Sequence, residues 1–159
     1  MTWQLRRATL DDLDSIMAIE AATFTEDGWS PATMRAELAD RNGYYLVAFP
    51  PESPESIEAY AGLRAPQRAP QADIQTIAVV ESARRQGLAR TLMQRMTNEA
   101  RQRGAKELFL EVRADNPGAQ ALYPSLGFEQ IAQRPNYYGA GLDALVMRLT
   151  IPEPRVSVA

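Results

Sequence analysis

The residues with the plainest chemistry lie between Ile77 and Arg90, in the stretch IAVVESARRQGLAR. An apolar β-type run, Ile74 to Val80, stops at a polar turn carrying Arg84, Arg85, Gln86 and Gly87. A helical pattern then runs from Gln86 to Arg103. A strand, a basic glycine-containing turn and a helix start together bind phosphate. Free backbone N–H groups point outward there, and the aligned peptide dipoles favour an anion. Gly87 lets the backbone approach an anion with no Cβ in the way. Arg84 and Arg85 add charge that cannot be titrated away. The competing reading is a solvated basic turn that merely starts a helix. Further along, Glu111 is a carboxylate inside the apolar run LFLEVR. Asn116 precedes Pro117 as a helix cap, and Tyr123 sits two turns into that helix.

Composition narrows the chemistry. The chain has 159 residues, 45% of them hydrophobic and 23% charged, which suits one globular domain with a real core. A net charge of −3 disfavours nucleic acid as a partner. With no cysteine and no histidine, a disulfide scaffold, a thiolate or histidine metal site, a Cys nucleophile and a Ser-His-Asp triad are all impossible. No metal site is expected. Acid–base work falls to carboxylates, Tyr, Lys, water or the termini. MTWQLRRATLDDLD has no apolar h-region, and no run is long and apolar enough to span a membrane. The expectation is a cytoplasmic protein without a membrane partner.

The elements that must position these groups follow from periodicity and punctuation. Thr2 to Ala8 reads as a first strand. Thr9 caps a helix that continues through Leu13, Ile16, Met17 and Ile19 towards Phe24. A loop from Thr25 to Trp29 precedes Ser30-Pro31, which opens a second helix to Ala39. Strands follow at Tyr44–Phe49, Ile57–Arg64 and Ile74–Val80, the last two joined antiparallel through a Pro-rich turn. The long helix puts Leu88, Leu92, Met96 and Ala100 on one face, with Ala89 and Met93 beside them, and Gly104 ends it. In the next strand Leu108, Leu110 and Val112 face one way, and Phe109, Glu111 and Arg113 the other. Strand, helix and strand form a βαβ unit with parallel strands. A helix from Asn116-Pro117 to Ser125 precedes a terminal pair, Phe128–Arg134 and Ala144–Thr150. The fold class is α/β with a mixed sheet. Residues 1–150 form one domain, and 151–159 a loose tail.

These residues together resemble the GNAT superfamily of N-acetyltransferases, most closely the RimI-type ribosomal-protein-alanine N-acetyltransferases. The matching stretches are Ile77-Ala78-Val79, Arg85 to Arg90, Leu110 to Arg113 with Asn116, Ala121 to Phe128, and Arg134 with Asn136 to Tyr138. Arg84, Gly87 and Ala89 fit the family's coenzyme A pattern, with Ala89 in the place of its second glycine. The N-terminal half agrees in layout, plus Trp29-Ser30.

The resemblance implies acetyl-CoA as co-substrate. Ile77, Ala78 and Val79 would pair with its pantetheine arm. An N–H near Val79 would polarise the thioester carbonyl and stabilise the oxyanion. N–H groups of Arg85, Gln86, Gly87, Leu88, Ala89 and Arg90 would hold the pyrophosphate beside Arg84, with Asn116 on the facing edge. Glu111 would be the general base, its pKa raised by its apolar strand. Tyr123 would be the acid that protonates the departing thiolate. Trp29, Tyr137 and Tyr138 would shape the acceptor groove, and Glu20 could add negative charge that attracts the amine. Pro124 departs from the family and stands to distort the helix at Tyr123.

The implied reaction is acetyl transfer to the N-terminal α-amine of a protein, a ribosomal protein with N-terminal alanine first among them. An α-amine, pKa about 7.7–8.0, is partly neutral near pH 7, whereas a Lys at about 10.4 is not. Two alternatives stand beside it. One is an acetyltransferase for a small amine; the other is a non-catalytic acyl-CoA-binding module, which retention of both Glu111 and Tyr123 argues against.

Overall fold

Alternating apolar residues build a seven-stranded sheet in a computed structural model that describes residues 2–24 and 28–152. The strands are β1 (Gln4–Arg7), β2 (Gly43–Phe49), β3 (Ala59–Arg64), β4 (Gln71–Val79), β5 (Glu107–Arg113), β6 (Glu129–Arg134) and β7 (Ala144–Thr150). Their order is β1-β2-β3-β4-β5-β7-β6. All neighbours are antiparallel except β4 and β5. The expected mixed sheet and its parallel βαβ pair are both present.

Helices cover the two faces. α1 (Leu13–Thr23) and α2 (Pro31–Ala39) lie on one face, where Ile16, Ile19 and Met34 pack on Tyr45, Val47, Tyr60 and Ala78. α3 (Leu88–Gln102) lies on the other and buries Leu88, Leu92, Met93, Met96 and Ala100. Each large side chain of that stripe contributes about 1.5–3 kcal/mol by leaving water. α4 (Pro117–Ser125) adds Tyr123 to the same core. The far end of α3 is pinned by the buried Arg103 guanidinium, which donates to the carbonyls of Asn42, Ala65 and Gly43 and pairs with Glu99. That anchorage fixes where the helix start points.

Several boundaries differ from the sequence reading, among them β3, which begins at Ala59 rather than Ile57, and three others that bear on the site and the tail. β4 begins at Gln71 rather than Ile74. α3 begins at Leu88 rather than Gln86, because Gly87 is left-handed (φ 75°) at the cap. Ile151, assigned to the loose tail, is buried and donates its N–H to the Lys106 carbonyl at 2.9 Å. Residues 25–27 of the expected loop and 153–159 of the expected tail lie outside the described residues.

The entry to α1 is fixed electrostatically. Asp12 accepts from the Thr9 N–H at 2.8 Å and from both terminal nitrogens of Arg6 at 2.8 Å. Hydrogen bonding to Arg6 holds the Asp12 carboxyl below the usual range. A depressed folded pKa gives stability that is complete above the ordinary value of about 3.9 and is lost as pH falls through the folded value. Asp12→Asn removes the charge paired with the half-exposed Arg6 and should cost up to about 1 kcal/mol at neutral pH. Denaturant midpoints should show the gap to wild type closing in acid.

Candidate active site

β4 and β5 pair over three positions only: Gln71 with Glu107, Ala72 with Leu108, and Asp73 with Phe109. Beyond Asp73 the strands part. The cause is a bulge in β4. Leu63 of β3 faces Ile74 while Gly62 faces Thr76, which leaves Gln75 as the extra residue. A bulge bends its strand and increases its twist. The rest of β4 therefore swings away from β5, and a wedge-shaped gap opens through the sheet.

The backbone lining the gap follows from one hydrogen bond. Val80 N–H donates to the Glu58 carbonyl at 2.9 Å, so the alternation of an antiparallel ladder turns the polar groups of Thr76 and Ala78 towards β3. Those of Ile77 and Val79 face the gap. Of the three residues expected to contact a cofactor arm, Ala78 is thus occupied by the sheet, while Ile77 and the N–H of Val79 are turned to the gap. Arg84 Nε donates to the Val79 carbonyl at 3.0 Å, which ties the basic turn to the strand.

On the α3 side the gap continues into a cavity of ≈ 950 Å³. Its wall includes Arg84, Arg85, Gly87, Leu88, Ala89 and Arg90, faced by Asn116. Gln86 is exposed in the same turn but is not part of that wall. Arg85 (φ 63°) and Gly87 (φ 75°) are both left-handed. Such turns gather successive N–H groups into an anion-binding concavity. A Cβ added at Gly87 would meet nothing within 4 Å, so the space before the helix start is open. Thr91 N–H already bonds the Gly87 carbonyl, which leaves the N–H groups of Leu88, Ala89 and Arg90 at the free helix start. Asn116 caps α4 through its Oδ1, which accepts from the Ala119 N–H at 3.1 Å. This set fits a pyrophosphate.

On the opposite face, beside Glu20 of α1, Phe24 and Trp29, lies a second cavity of ≈ 780 Å³. Phe24, Ile77, Arg113, Asn116, Ala119 and Tyr123 line both cavities, so the two communicate through the wedge. Glu111 stands on this second side, half-buried, with Arg134 Nη1 at 3.4 Å from Oε1. The Tyr137 hydroxyl also hydrogen-bonds Glu111, which pushes the tyrosine pKa up. Arg113, its strand neighbour, pairs with Asp115. Glu111 therefore faces a charged, hydrogen-bonding cleft, not the apolar surroundings its strand suggested.

Tyr123 is 6% exposed, and its ring meets Phe128 edge-on at 5.8 Å. Burial pushes its hydroxyl up to about 12, so it holds its proton at neutral pH. Pro124 does not break α4. The helix closes around it, with the Tyr123 carbonyl accepting from both Leu126 and Phe128 N–H groups. Tyr137 and Tyr138 stack perpendicular at 5.0 Å beside Arg134 and Arg113, and form part of the cleft wall.

Trp29 and Glu20 also line the cleft. Glu20 is 2% exposed and its carboxylate is committed: Oε2 accepts from the Trp29 N–H at 2.9 Å, and Oε1 accepts from the Tyr60 hydroxyl. The expectation of a charge presented to the amine gives way to a buried brace under the loop between α1 and α2. The sequence reading also missed Phe24, Thr76 and Asp73 in the wall. The signal for Asp73 was available in the alternation of Gln71, Asp73 and Gln75 with Ala72 and Ile74. Loss of solvent, reinforced by nearby Glu111 and opposed by Arg64, raises the Asp73 pKa.

Among the described residues, no group of three or more acidic, histidine or cysteine side chains could hold a metal, and no helix is long and apolar enough to cross a membrane.

Comparison with known proteins agrees with this geometry. The Acetyltransferase (GNAT) family matches residues 13–128. The chain is 33% identical over 150 residues to the N-alpha-acetyltransferase RimI of Mycobacterium tuberculosis, covering 92% of this chain and 91% of that protein. It is 36% identical over 141 residues to an uncharacterized Mycobacterium leprae protein, of which it spans only 38%. The crystal structure of the Escherichia coli ribosomal-protein-S18-alanine N-acetyltransferase superposes with a TM-score of 0.85, at 28% identity and 99% coverage of both chains. With its splayed parallel strands, its glycine turn and these matches, the chain belongs to the acetyltransferase (GNAT) family, the acetyl-CoA-dependent N-acetyltransferases.

Proposed function

We propose that residues 1–150 form one cytoplasmic N-acetyltransferase domain that acetylates the N-terminal α-amine of a protein, with a ribosomal protein bearing N-terminal alanine as its first candidate. The observation that carries this reading is the meeting of two cavities at Tyr123, one walled by the glycine turn and the other by Glu111. The exposed Gln71, Arg134 and Tyr137 in the wall of the second cavity suit an extended peptide. The names of the bacterial relatives support the substrate class.

Acetyl-CoA supplies an acetyl thioester to the site. In this reading the N–H groups of Leu88, Ala89 and Arg90, with Arg84 and Arg85, hold its pyrophosphate. Asn116 contacts it from the facing edge. Ile77 and Val79 offer strand-like backbone groups to its arm, and the Val79 N–H polarises the reacting carbonyl. Glu111 receives the amine proton and Tyr123 gives its own to the leaving sulfur, with Trp29, Tyr137 and Tyr138 shaping the acceptor groove. A cysteine acyl-enzyme plays no part, since the chain has no cysteine.

The test is a set of acceptors offered with acetyl-CoA, read by thiol release and mass spectrometry. The set comprises a peptide carrying the N-terminus of ribosomal protein S18, the same peptide N-terminally blocked with a free lysine, and a panel of polyamines and aminoglycosides. Acetylation of the free N-terminus alone is expected. Transfer to the small amines and not the peptide would replace the substrate class.

A further inference from the structure

We propose that Glu37 and Gln75 are positioning residues for acetyl transfer, a clamp between α2 and the β4 bulge that aims the Val79 N–H at the thioester carbonyl. This rests on the reading of the Val79 N–H as the group that polarises that carbonyl.

The side chains of the bulge show how it is held. Consecutive residues of a regular strand point to opposite faces. Gln75 and Thr76 instead both reach the face covered by α1 and α2. Gln75 Nε2 donates to Glu37 Oε1 of α2 at 2.9 Å. Thr76 Oγ1 lies 3.3 Å from the Tyr60 hydroxyl. That hydroxyl gives its one proton to Glu20 of α1, so Thr76 is the donor of the pair. Both residues at the bulge are therefore held by a helix carboxylate, Gln75 directly and Thr76 through a tyrosine.

Glu37 has a second partner in the sheet. The Tyr45 hydroxyl of β2 donates to the same Oε1 at 3.0 Å. Burial, reinforced by the Glu37 charge, pushes the pKa of that hydroxyl up, so it remains a donor. Tyr45 pairs with Gly62, and Gly62 with Thr76. The ring reaches the carboxylate by crossing over Gly62, where a Cβ would lie 2.2 Å from Cε2 and Cζ of the ring. Glycine opposite the bulge makes room for the arm that secures it. One carboxylate from outside the sheet thus ties β2 to β4 across β3.

Register gives the clamp its effect on chemistry. Backbone groups of an antiparallel strand alternate in direction. A one-residue slip of β4 beyond the bulge would turn the N–H of Ala78, in place of that of Val79, to the gap. Glu37 belongs to the wall of neither cavity, so it acts through the strand and touches neither cofactor nor acceptor.

The experiment reads the carbonyl itself. The full chain is loaded with acetyl-CoA labelled isotopically at the thioester carbonyl, with no acceptor present, and the C=O stretch is taken by isotope-edited infrared spectroscopy. Binding to wild type should move the band below its position in free acetyl-CoA. Glu37→Ala should return the band towards the free position and lower kcat for the N-terminal peptide about ten- to a hundredfold. Affinity for coenzyme A should stay within about threefold, because the pyrophosphate turn lies at the start of α3. Glu37→Gln offers the same acceptor oxygen to Tyr45 and Gln75, and should restore both band and rate. Gln75→Leu, similar in size, should match Glu37→Ala in the band, and the double variant should move it no further than either. Variants that melt at lower temperature but keep the wild-type band and kcat overturn the clamp and leave the Val79 reading standing. A Glu37→Ala protein that loses coenzyme A affinity with its band unmoved overturns it as well. A wild type whose band does not shift overturns the Val79 reading, and this inference with it.

Discussion

Glu111→Gln is expected to lower kcat for the N-terminal peptide about 10²–10⁴-fold, the range over which a positioned general base acts. Glutamine keeps the size of the side chain and an oxygen that accepts from Arg134 and Tyr137, so the cleft wall is conserved. What goes is the ability to take a proton as the C–N bond forms. Affinity for acetyl-CoA should not change, because Glu111 lies outside the wall of the cofactor-side cavity. One complication has its own control. Removing the carboxylate leaves the Arg134 charge uncompensated near an incoming ammonium, which raises KM. The double variant Glu111→Gln/Arg134→Gln separates the two effects. KM should recover in it and kcat should not. Equal turnover in Glu111→Gln would remove Glu111 from its assigned role.

Tyr123→Phe should cost about 10²-fold in kcat. The substitution retains the ring that packs edge-on against Phe128, so the melting temperature should stay within a few degrees. Because burial pushes the hydroxyl up to about 12, the proton is present throughout the usable range, and any alkaline limb of the rate profile below that value belongs to another group. Were Tyr123 only a packing residue, the phenylalanine variant would turn over at the wild-type rate.

Much of this arrangement was legible in the chain. Pro31 and Pro117, each following a capping residue, marked helix starts that the structure keeps. The alternation through Leu108 to Arg113 put Glu111 on the face opposite Leu108, Leu110 and Val112, and those three pack with α3. The parts that could not be read are those set by long-range pairing. The bulge at Gln75 exists because β4 changes register against β3, and nothing local announces it. The left-handed backbone at Arg85 is uncommon for a residue with a side chain, so the helix start was placed too early. Gln71 and Asp73 lie between the Pro-rich turn and the strand read from Ile74, and Gln75 lies inside that strand. Their polarity is that of a strand face turned to a cleft. Glu20 and Trp29 stand in different elements, and their hydrogen bond across the α1–α2 loop is a product of the tertiary fold. Pro124 misled in the opposite direction, since the carbonyl of Tyr123 satisfies two downstream N–H groups and the helix end survives.

The wedge has a consequence for solubility. Ile77 and the N–H of Val79 turn backbone groups away from β3 on an interior margin of the sheet. An unpaired strand margin is ordinarily a template on which another chain can add, and the route to aggregates. Here the adhesive stretch is recessed, joined to β5 at its closed end and overlooked by α4. A flat strand from a neighbouring molecule has no lateral approach to it, while a slender extended chain can thread in along its length. The outer strand β6, which does stand on an open margin, is exposed along its whole length and carries Glu129, Gln130, Gln133 and Arg134 around one large apolar side chain, Ile131. The molecule thus keeps its stickiest backbone where only a narrow guest can reach it, and turns a polar border towards its own copies.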